Sequence, residues 1–434
     1  MNLEEVLKEE LGLIRINKQD KSEINKIVNL VINAINSKIK KLKINAEVFV
    51  GGSFAKNTLI KKEIYDVDLF LRFDQKYSEQ EIQSNFKKIF FWFKIPKNQA
   101  KVKLIHGSRD YYQILLKKPK NICIEVIPTL KITKSYQARN VTDLSYFHVN
   151  YVKKQLKSRP ELNDEILLMK AFCHGQKCYG AESYVSGFSG YVIELLVLHY
   201  GSFEKVLREL AGYSQRMIID PAGYYKTVEE VIRSLNPSKI HSPIILIDPT
   251  FKERNVTSAL SKDTFNRFKF AIKEFLKSPS IDFFINKPTD ISEFKKMSWD
   301  HEGIFSIFEI RTNKQAGDIA GTKLLKFSKF LNSEISKSFD IIKMDFEYDN
   351  KKNAKIYYIL KNKKEIIITG PQIKYKEAVD NFKKVHPVWY IQNNHILSAR
   401  PANISAKDFL KRFKKSYRKT IKDMSIRKIK LVKV

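Results

Sequence analysis

Apolar residues near the start of the chain recur every three or four positions, which is the spacing of one helix face. The set that predicts a long helix over residues 22–42 is Ile24, Ile27, Val28, Val31, Ile35, Ile39 and Leu42. Two short apolar runs follow at 47–50 and 64–73, separated by a Gly-Gly-Ser turn and a polar stretch. This order predicts a strand, a glycine loop, a short helix and a second strand.

Helical spacing returns around residues 86–93. Strand-like runs then occupy 102–106, 111–116 and 122–127, and Pro128 is expected to end the last of them because proline cannot donate to a strand ladder. The first 145 residues are therefore predicted to form one α/β domain.

The pattern changes to a helical one over residues 149–210, with breaks at 179–180 and at the glycine-rich segment 186–190. A strand at 244–247 and a helix over 263–277 then open a mixed region. These patterns predict a small helical domain followed by the start of a mixed one.

Residues 300–395 alternate short strands with a helix and predict a second α/β unit. The strands are expected at 304–310, 341–348 and 355–360, and the helix at 322–335. No internal repeat or low-complexity linker is visible in the sequence. A length of 434 residues exceeds one ordinary core, so two to four domains are expected.

The formal net charge is +32 and the sequence pI is about 9.7, which favours a polyanionic partner such as RNA or DNA. Solvated surface charge and a polybasic membrane surface are the alternatives. Three cysteines, Cys123, Cys173 and Cys178, are too few and wrongly spaced for a disulfide framework or a four-cysteine zinc site. With no signal-peptide pattern and no run of 18 apolar residues, a cytoplasmic protein is expected.

Two aspartates, Asp66 and Asp68, lie two positions apart in the apolar run 64–70. Side chains at i and i+2 of a strand project from the same face, so both carboxylates point one way. Two such charges repel unless a cation lies between them, and hard oxygen ligands suit Mg²⁺. A pair of these ions would activate an attacking 3′-hydroxyl and stabilise departing pyrophosphate, although paired acids at a strand end often only face solvent.

The segment upstream of the two aspartates narrows the functions that they could serve. Gly51, Gly52 and Ser53 open a loop in which backbone N–H groups can approach a triphosphate and a hydroxyl can donate to it. By itself, this Gly-Gly-Ser segment would indicate only a turn. A Gly-Ser pair followed by D-x-D thirteen residues beyond the serine is the nucleotidyltransferase signature.

A third carboxylate is expected on a neighbouring strand, and Glu125 within the apolar run 122–127 is the candidate. An acid in such a context is costly unless it is paired or bound to metal. Asp110 and Asp143 lie in polar, turn-like sequence and are predicted to cap turns or to face solvent.

With these residues placed, the chain resembles the archaeal-type, class I CCA-adding enzymes, which are tRNA nucleotidyltransferases. The matching segments are DLSYFHVNYV (143–152), LLMKAF (167–172), CYGAE (178–182), GFSGY (187–191), IDP (247–249) leading to RNV (254–256), and later Gly370-Pro371. The resemblance therefore covers essentially the whole chain.

The resemblance implies an α+β multidomain fold with a polymerase-β-like nucleotidyltransferase head, a helical neck, and a mixed α/β body and tail. By position, the head would span 1–147, the neck 148–205, the body 206–285 with 396–434, and the tail 286–395. The implied reaction adds C, C and A to tRNA 3′ ends from CTP and ATP without a template. Body and tail would hold the acceptor arm and elbow of tRNA. No membrane partner is expected, and a homodimer stays open.

The resemblance also assigns site residues. Asp66, Asp68 and Glu125 would be catalytic and bind Mg²⁺, while Gly52, Ser53 and Lys56 would contact the triphosphate, and His148, Lys170 and Tyr179 would hold phosphates and ribose. Arg254 would read the base. C and A share an exocyclic amine beside an unprotonated ring nitrogen, and a guanidinium offers only donors, so one arginine can accept both bases and oppose U and G.

Two positions depart from the family pattern. The third acid is normally Asp, and Glu125 is one methylene longer, which shifts the expected ligand position by about 1 Å. Lys56 stands where Arg is common, so it keeps the charge and loses the bidentate fork.

A C-terminal segment, residues 411–419, interleaves cations with aromatic residues. It predicts phosphate contact with tRNA and salt-dependent binding, or else a basic surface with one buried side. Rival functions are a poly(A)-adding or oligoadenylate-forming nucleotidyltransferase and a non-catalytic tRNA-binding relative.

Overall fold

The computed structural model describes residues 2–95, 100–117, 120–213, 216–401 and 404–432. Within these ranges, two compact units form, one within 1–181 with 185–286 and the other within 182–184 with 287–434. Both combine helices with sheets, which confirms the predicted α+β multidomain class. Every helix in the described ranges is too short or too polar to span a bilayer.

The first unit begins with a five-stranded sheet in the order β1-β2-β5-β4-β3. Its strands are β1 (Ala46–Val50), β2 (Tyr65–Phe73), β3 (Lys101–Ile105), β4 (Tyr111–Leu116) and β5 (Ile122–Leu130). Its helices are α1 (Leu3–Ile14), α2 (Lys18–Lys41), α3 (Gly52–Ala55) and α4 (Glu79–Phe90). Only the β2–β5 pairing is parallel among these strands. The predicted strand, loop, short helix and strand are confirmed.

Helix α2 packs its apolar face into the core beneath this sheet, as the periodicity predicts. It starts at Lys18, earlier than predicted, because Asn17 caps it by accepting the backbone N–H of Asp20. Leu42 lies just past the last turn and is exposed. The hydrophobic face therefore ends at Ile39.

The predicted strand end at Pro128 is wrong. Strand β5 continues to Leu130 and pairs with β2 along its whole length, with Leu71 opposite Pro128. Pairing with β4 stops at Val126, so one side of β5 is already without a ladder partner at the proline. The missing N–H is tolerated there for that reason.

Four helices form the predicted helical region: α5 (Ser145–Ser158), α6 (Leu162–Gly175), α7 (Gly190–Tyr200) and α8 (Phe203–Gly212). They share one core with α1 and with the later helix α10 (Lys262–Lys277). A small sheet, β6-β7-β8, joins them. Its members are β6 (Met217–Ile219), β7 (Ile244–Asp248) and β8 (Phe251–Asn255), with α9 (Val228–Ser234) between the first two. Of these only β7 is predicted, because its residues form an apolar run, whereas β8 is largely polar and β6 and α9 are short.

The second unit contains a four-stranded sheet, β10-β11-β9-β15, and a three-stranded sheet, β12-β14-β13. The strands are β9 (Ile304–Thr312), β10 (Phe339–Tyr348), β11 (Asn353–Asn362), β12 (Glu365–Gln372), β13 (Tyr390–Gln392), β14 (His395–Pro401) and β15 (Ile426–Val432). The helices are α11 (Ile291–Asp300), α12 (Asp318–Ile335), α13 (Lys376–Val385), α14 (Ala406–Ser416) and α15 (Arg418–Asp423). The α/β unit predicted for 300–395 is confirmed.

The division into head, neck, body and tail stays a prediction. The structure bears on one part of it, the proposed body. The expected body joins 206–285 to 396–434, whereas these segments lie in different compact units. Strand β15 pairs with β9, and α14 buries Phe409, Leu410 and Phe413 in the core of the second unit. The C-terminal segment thus completes the sheet that starts at residue 304.

Candidate active site

The two aspartates occupy one face of β2, as predicted from their spacing. Val67 and Leu69 between and beyond them are fully buried on the opposite face, in the core with α2 and α4. Asp66 is exposed and Asp68 is half-buried. Parallel pairing with β5 sets Asp68 opposite Glu125. All three acids therefore project from the same side of the sheet.

The glycine loop comes directly against the second aspartate. Gly52 has a φ of +60°, and a methyl group on it would lie 1.8 Å from Asp68 Oδ2. The Gly51 N–H donates a 2.8 Å hydrogen bond to the Asp68 carbonyl oxygen. Only glycine satisfies both the backbone conformation and the close approach at position 52. The loop and the carboxylate are thus built as one site.

Electrostatics around the aspartates favour a bound cation. Surrounding protein raises the pKa of Asp68 to about 6, partly offset by the positive charge of Lys56. Nearby protein atoms that displace water also raise the pKa of Asp66, although its side chain is exposed, and Lys62 opposes that shift. Among the described residues, neither carboxylate accepts a hydrogen bond. Carboxylates that accept no hydrogen bond are suited to bind a metal ion.

Glu125 on β5 is hydrogen-bonded to the neighbouring strand β4. Gln113 on β4 is its register partner there and donates a 2.8 Å hydrogen bond from Nε2 to Glu125 Oε1. Over the described ranges, no three His, Cys, Asp or Glu side chains are grouped as a ready metal site. Asp66, Asp68 and Glu125 thus share one face of the sheet, and the Glu125 carboxylate is held by the Gln113 amide.

A buried ionic cluster stands behind the loop. Glu194 on α7 is fully buried and accepts hydrogen bonds from Lys56 Nζ at 2.5 Å, Thr58 Oγ1 at 2.8 Å and Lys170 Nζ at 2.8 Å. Burial lowers the pKa of Lys170 to about 8. Lys56, expected at the triphosphate, and Lys170, expected at phosphates and ribose, are therefore brought together, but both are paired with Glu194.

Tyr179 lies in the connection between α6 and α7, ahead of the glycine-rich segment. Its ring stacks on His174 with centroids 3.8 Å apart, and Lys62 Nζ lies 5.7 Å from its centre. A methyl group on Gly190 would lie 2.9 Å from the Tyr179 hydroxyl and 3.9 Å from Lys170 Cε. The glycine thus gives the hydroxyl room beside the lysine.

Arg254 belongs to a second buried cluster centred on Asp248. Arg254 Nη1 donates to Asp248 Oδ2 at 2.7 Å, and His148 Nε2 lies 3.0 Å from the same oxygen. The other oxygen accepts from Tyr191 and from the backbone and hydroxyl of Thr250. Burial lowers the pKa of His148, although Asp248 opposes the shift. His148 and Arg254 are thus brought together at one buried carboxylate.

The expectation that Asp143 only caps a turn or faces solvent is wrong in part. Asp143 accepts the backbone N–H groups of Arg139 and Asn140, which is a cap, but it is also buried in an ion pair with Arg109. Asp110 lies 3.0 Å from His106 and is partly exposed. Neither acid belongs to the site.

Two family profiles match the first unit. A nucleotidyltransferase domain matches residues 29–143, and the second domain of tRNA nucleotidyltransferases matches residues 164–285. The CCA-adding enzyme of Nanoarchaeum equitans is 33% identical over 308 residues, which cover 71% of this chain and 72% of that one. The chain belongs to the CCA-adding enzyme family. It is therefore a nucleotidyltransferase.

Further CCA-adding enzymes extend the match. That of Methanocaldococcus jannaschii is 29% identical over 408 residues, covering 91% of this chain and 86% of the relative. A solved structure of Cid1, an RNA terminal uridylyl transferase, aligns with a TM-score of 0.50 at 13% identity, covering 65% of this chain and 98% of that one. This last likeness shows the nucleotidyltransferase fold alone.

Three residues that hold this CCA-adding enzyme's site together have no role in the sequence predictions: Lys62, Glu194 and Asp248. Glu194 is the one acid in the apolar helix α7, and a buried acid must be paired, so its position carried a signal. Asp248 lies in a segment that resembles the family, but the sequence does not indicate which side chains it contacts. Lys62 offered no signal, since charged neighbours on both sides make it look like solvated surface.

Proposed function

We propose that this chain adds C, C and A in order to the 3′ end of tRNA, from CTP and ATP and without a template, with release of pyrophosphate. The observation that carries the proposal is the glycine loop closed against Asp68, in a member of the CCA-adding enzyme family. A loop that meets a metal-binding carboxylate places a triphosphate next to the cation that must serve it.

Polymerase-β-like nucleotidyltransferases generally use divalent metal ions, and we propose Mg²⁺ here. Asp66 and Asp68 would hold it, with Glu125 on the same face. When bound, the ions would lower the pKa of the 3′-hydroxyl and neutralise charge on the leaving pyrophosphate. The protein supplies hard oxygen ligands. The pKa of Asp68 is raised, and a bound cation would lower it again.

The triphosphate would be bound by the loop. Within the described ranges, the Ser53 hydroxyl makes no hydrogen bond, so it is available to donate. Lys56 and Lys62 place positive charge beside Asp68 and Asp66. These groups would orient the α-phosphate for attack by the terminal hydroxyl.

Base choice would depend on Arg254. Its guanidinium is held by the buried Asp248 carboxylate and keeps other N–H donors for a ring acceptor of C or A. His148, stacked on Tyr191 with ring centroids 4.1 Å apart, stands in the same cluster. The cluster therefore offers fixed donors rather than a flexible cation.

Transfer RNA would be bound in part by α14. Four of its exposed cations are Lys411, Arg412, Lys414 and Lys415, whereas its apolar side is buried. Exposed lysine and arginine side chains on a rigid helix suit contacts to a phosphate backbone. The predicted grip on acceptor arm and elbow, the homodimer and the cytoplasmic location stay predictions.

The testing experiment supplies each nucleoside triphosphate separately to tRNA that lacks the CCA end, ends in C or ends in CC. Incorporation of CTP, CTP and then ATP supports the proposal, while ATP alone or growing homopolymer indicates the poly(A)-adding or oligoadenylate-forming alternative. If the wild type and the Asp66→Ala/Asp68→Ala double variant are equally inert with Mg²⁺ and both bind tRNA, the chain is a non-catalytic relative.

A further inference from the structure

Glu125 lies in a row of side chains that crosses the sheet of the first unit. Its register partner on β2 is Asp68 and its register partner on β4 is Gln113, so the three residues lie side by side on consecutive strands. Directly paired residues project from the same face of a sheet, and neighbouring strands lie about 4.8 Å apart. The amide on β4 therefore faces the same space as the acids.

The Gln113 amide can meet Glu125 in one orientation only. An ionised carboxylate accepts hydrogen bonds and donates none, so the amide must present its nitrogen. Gln113 Nε2 donates to Glu125 Oε1 at 2.8 Å, which is the length of a good hydrogen bond to a charged acceptor. The bond thus ties the Glu125 carboxylate to β4, the strand on the other side of β5 from the two aspartates.

Strand β4 is itself firmly placed. It pairs with β5 along one edge and with β3 along the other. The buried Arg109, in the turn that leads into β4, forms ion pairs with Glu79 and Asp143. Asp143 also accepts the backbone N–H of Leu130, the last residue of β5, at 2.9 Å. One carboxylate thus binds the turn before β4 and the end of β5, which fixes the two strands relative to each other.

A glutamate at position 125 needs support of this kind. Its side chain has three torsions, and all of them must be fixed if the carboxylate is to act at one place. A misplacement of about 1 Å can slow an enzymatic reaction about 100-fold. Removing a hydrogen-bonded partner behind a metal-binding carboxylate typically costs about 10- to 100-fold in metal affinity or activity. Gln113 has the position and the chemistry of such a partner.

Packing of the strand alone would not require an amide at position 113. Two positions along the same face of β4, Leu115 is the register partner of Cys123, and an aliphatic side chain is sufficient there. The amide is found at the position whose partner is the acid. The residue type at 113 therefore matches Glu125 rather than the packing of β4.

We propose that Gln113 is a positioning residue for nucleotidyl transfer: its amide holds the third carboxylate, Glu125, in the orientation that serves the metal ion and the attacking 3′-hydroxyl. The inference rests on the proposed function and adds to it, because it names the side chain on which the position of Glu125 depends. Gln113 acts through Glu125 and not through contacts to the nucleotide. Its removal therefore affects metal affinity and the chemical step and leaves nucleotide binding unchanged.

The test compares the wild type with Gln113→Met, which keeps the length of the side chain but cannot donate. Mn²⁺ affinity is measured from the electron paramagnetic resonance signal of the free ion, and kcat and KM are measured for CTP and ATP. Binding that is lost in Asp66→Ala/Asp68→Ala is assigned to the site. We expect the Kd for Mn²⁺ to rise and kcat to fall, each at least about tenfold, with both KM values changed less than about twofold.

Gln75→Met is the matched control. Gln75 is also half-buried and donates one hydrogen bond in the same unit, from Nε2 to the Lys131 carbonyl oxygen at 3.0 Å. Because that bond does not involve an acid of the site, Mn²⁺ affinity and kcat should equal those of the wild type. Equal losses in Gln75→Met and Gln113→Met overturn the inference.

A double variant separates positioning from packing. Since Gln113 acts only through Glu125, Gln113→Met/Glu125→Gln should be no worse than Glu125→Gln alone. Gln113→Leu should have the same effect as Gln113→Met, which keeps the proposal testable if one of the two does not fold. Unchanged Mn²⁺ affinity and kcat in the folded variants, additive losses in the double variant, or Mn²⁺ binding that survives in Asp66→Ala/Asp68→Ala overturns it. A wild type that incorporates neither CTP nor ATP defeats the proposed function instead, while Mn²⁺ binding still tests Gln113.

Discussion

Arg254 donates a 2.7 Å hydrogen bond to Asp248, and that carboxylate is fully buried. The aspartate fixes the plane of the guanidinium and therefore the direction of its remaining donors. Base choice by a donor-only group depends on this orientation. On the proposed function, Asp248 would therefore be a positioning residue for Arg254 as the base-reading side chain.

Asp248→Asn should weaken discrimination between the correct nucleotides, CTP and ATP, and the incorrect UTP and GTP. The neutral amide binds a guanidinium less strongly, so its donors are free to turn toward other acceptors. We expect relative incorporation of UTP and GTP to rise about tenfold, which corresponds to about 1.4 kcal/mol. Competition assays with paired nucleotides on one tRNA measure this ratio.

Tyr191→Phe is the matched control for that variant. It removes one 3.1 Å hydrogen bond to Asp248 but leaves the charge of the carboxylate and the ring that stacks on His148. Discrimination should change less than in Asp248→Asn. Equal changes in both variants would contradict a specific role for the carboxylate charge.

Glu125 should be catalytically necessary even though it differs from the usual aspartate. It faces Asp68 across the parallel pair β2–β5, and Glu125→Gln removes its charge without changing its length. We expect kcat to fall by at least about 100-fold. Single-turnover measurement with Glu125→Asp as the comparison, expected within about tenfold of wild type, checks this. A fully active Glu125→Gln variant would show that two aspartates suffice.

The stability of the first unit should depend on pH through Glu10 on α1. Burial, and then repulsion from Glu9, raises the pKa of Glu10 from 4.5 to about 7. Between these values the folded chain keeps the proton and the unfolded chain releases it, so stability falls as pH rises. Glu10→Gln should be more stable than the wild type at pH 8 by up to roughly 3 kcal/mol and equal to it near pH 4. Urea denaturation at both pH values measures this, and a difference independent of pH would contradict it.

Binding of tRNA should depend steeply on salt through α14. Replacing four of its exposed cations, Lys411, Arg412, Lys414 and Lys415, by glutamine should reduce the slope of log K against log salt by about 2 to 4, since each phosphate contact contributes about 0.7 to 0.9. The matched control replaces four exposed lysines of α1 and α2: Lys8, Lys18, Lys26 and Lys40. Equal losses in both variants would mean that charge alone, rather than α14, binds the RNA.

Local patterns predicted the elements that carry the aspartates. Apolar spacing located α2, β2 and β5, and the two-residue spacing of Asp66 and Asp68 predicted their shared face, because these properties depend on near neighbours in the chain. The pairing of Asp68 with Glu125 depends on a parallel register between strands more than fifty residues apart. No single-sequence pattern records such a register.

Other contacts between residues far apart in the chain could not be predicted from the sequence either. The partnership of Lys56 with Glu194 joins residues 138 positions apart, and the sequence indicated only that each was charged. Strand β15 pairs with β9 across more than a hundred residues, which places the C-terminal segment in the second unit. The strand continues past Pro128 because pairing with β4 has already ended at Val126, and a single sequence does not show where a neighbouring strand ends.

The most direct measurement follows incorporation of each nucleotide into tRNAs that lack the CCA end, end in C or end in CC, with Mg²⁺, for the wild type and Asp66→Ala/Asp68→Ala. The account predicts CTP on the first two, ATP on the third, no further extension, and loss of all three steps in the double variant. Homopolymer growth, use of ATP alone or an active double variant would contradict it.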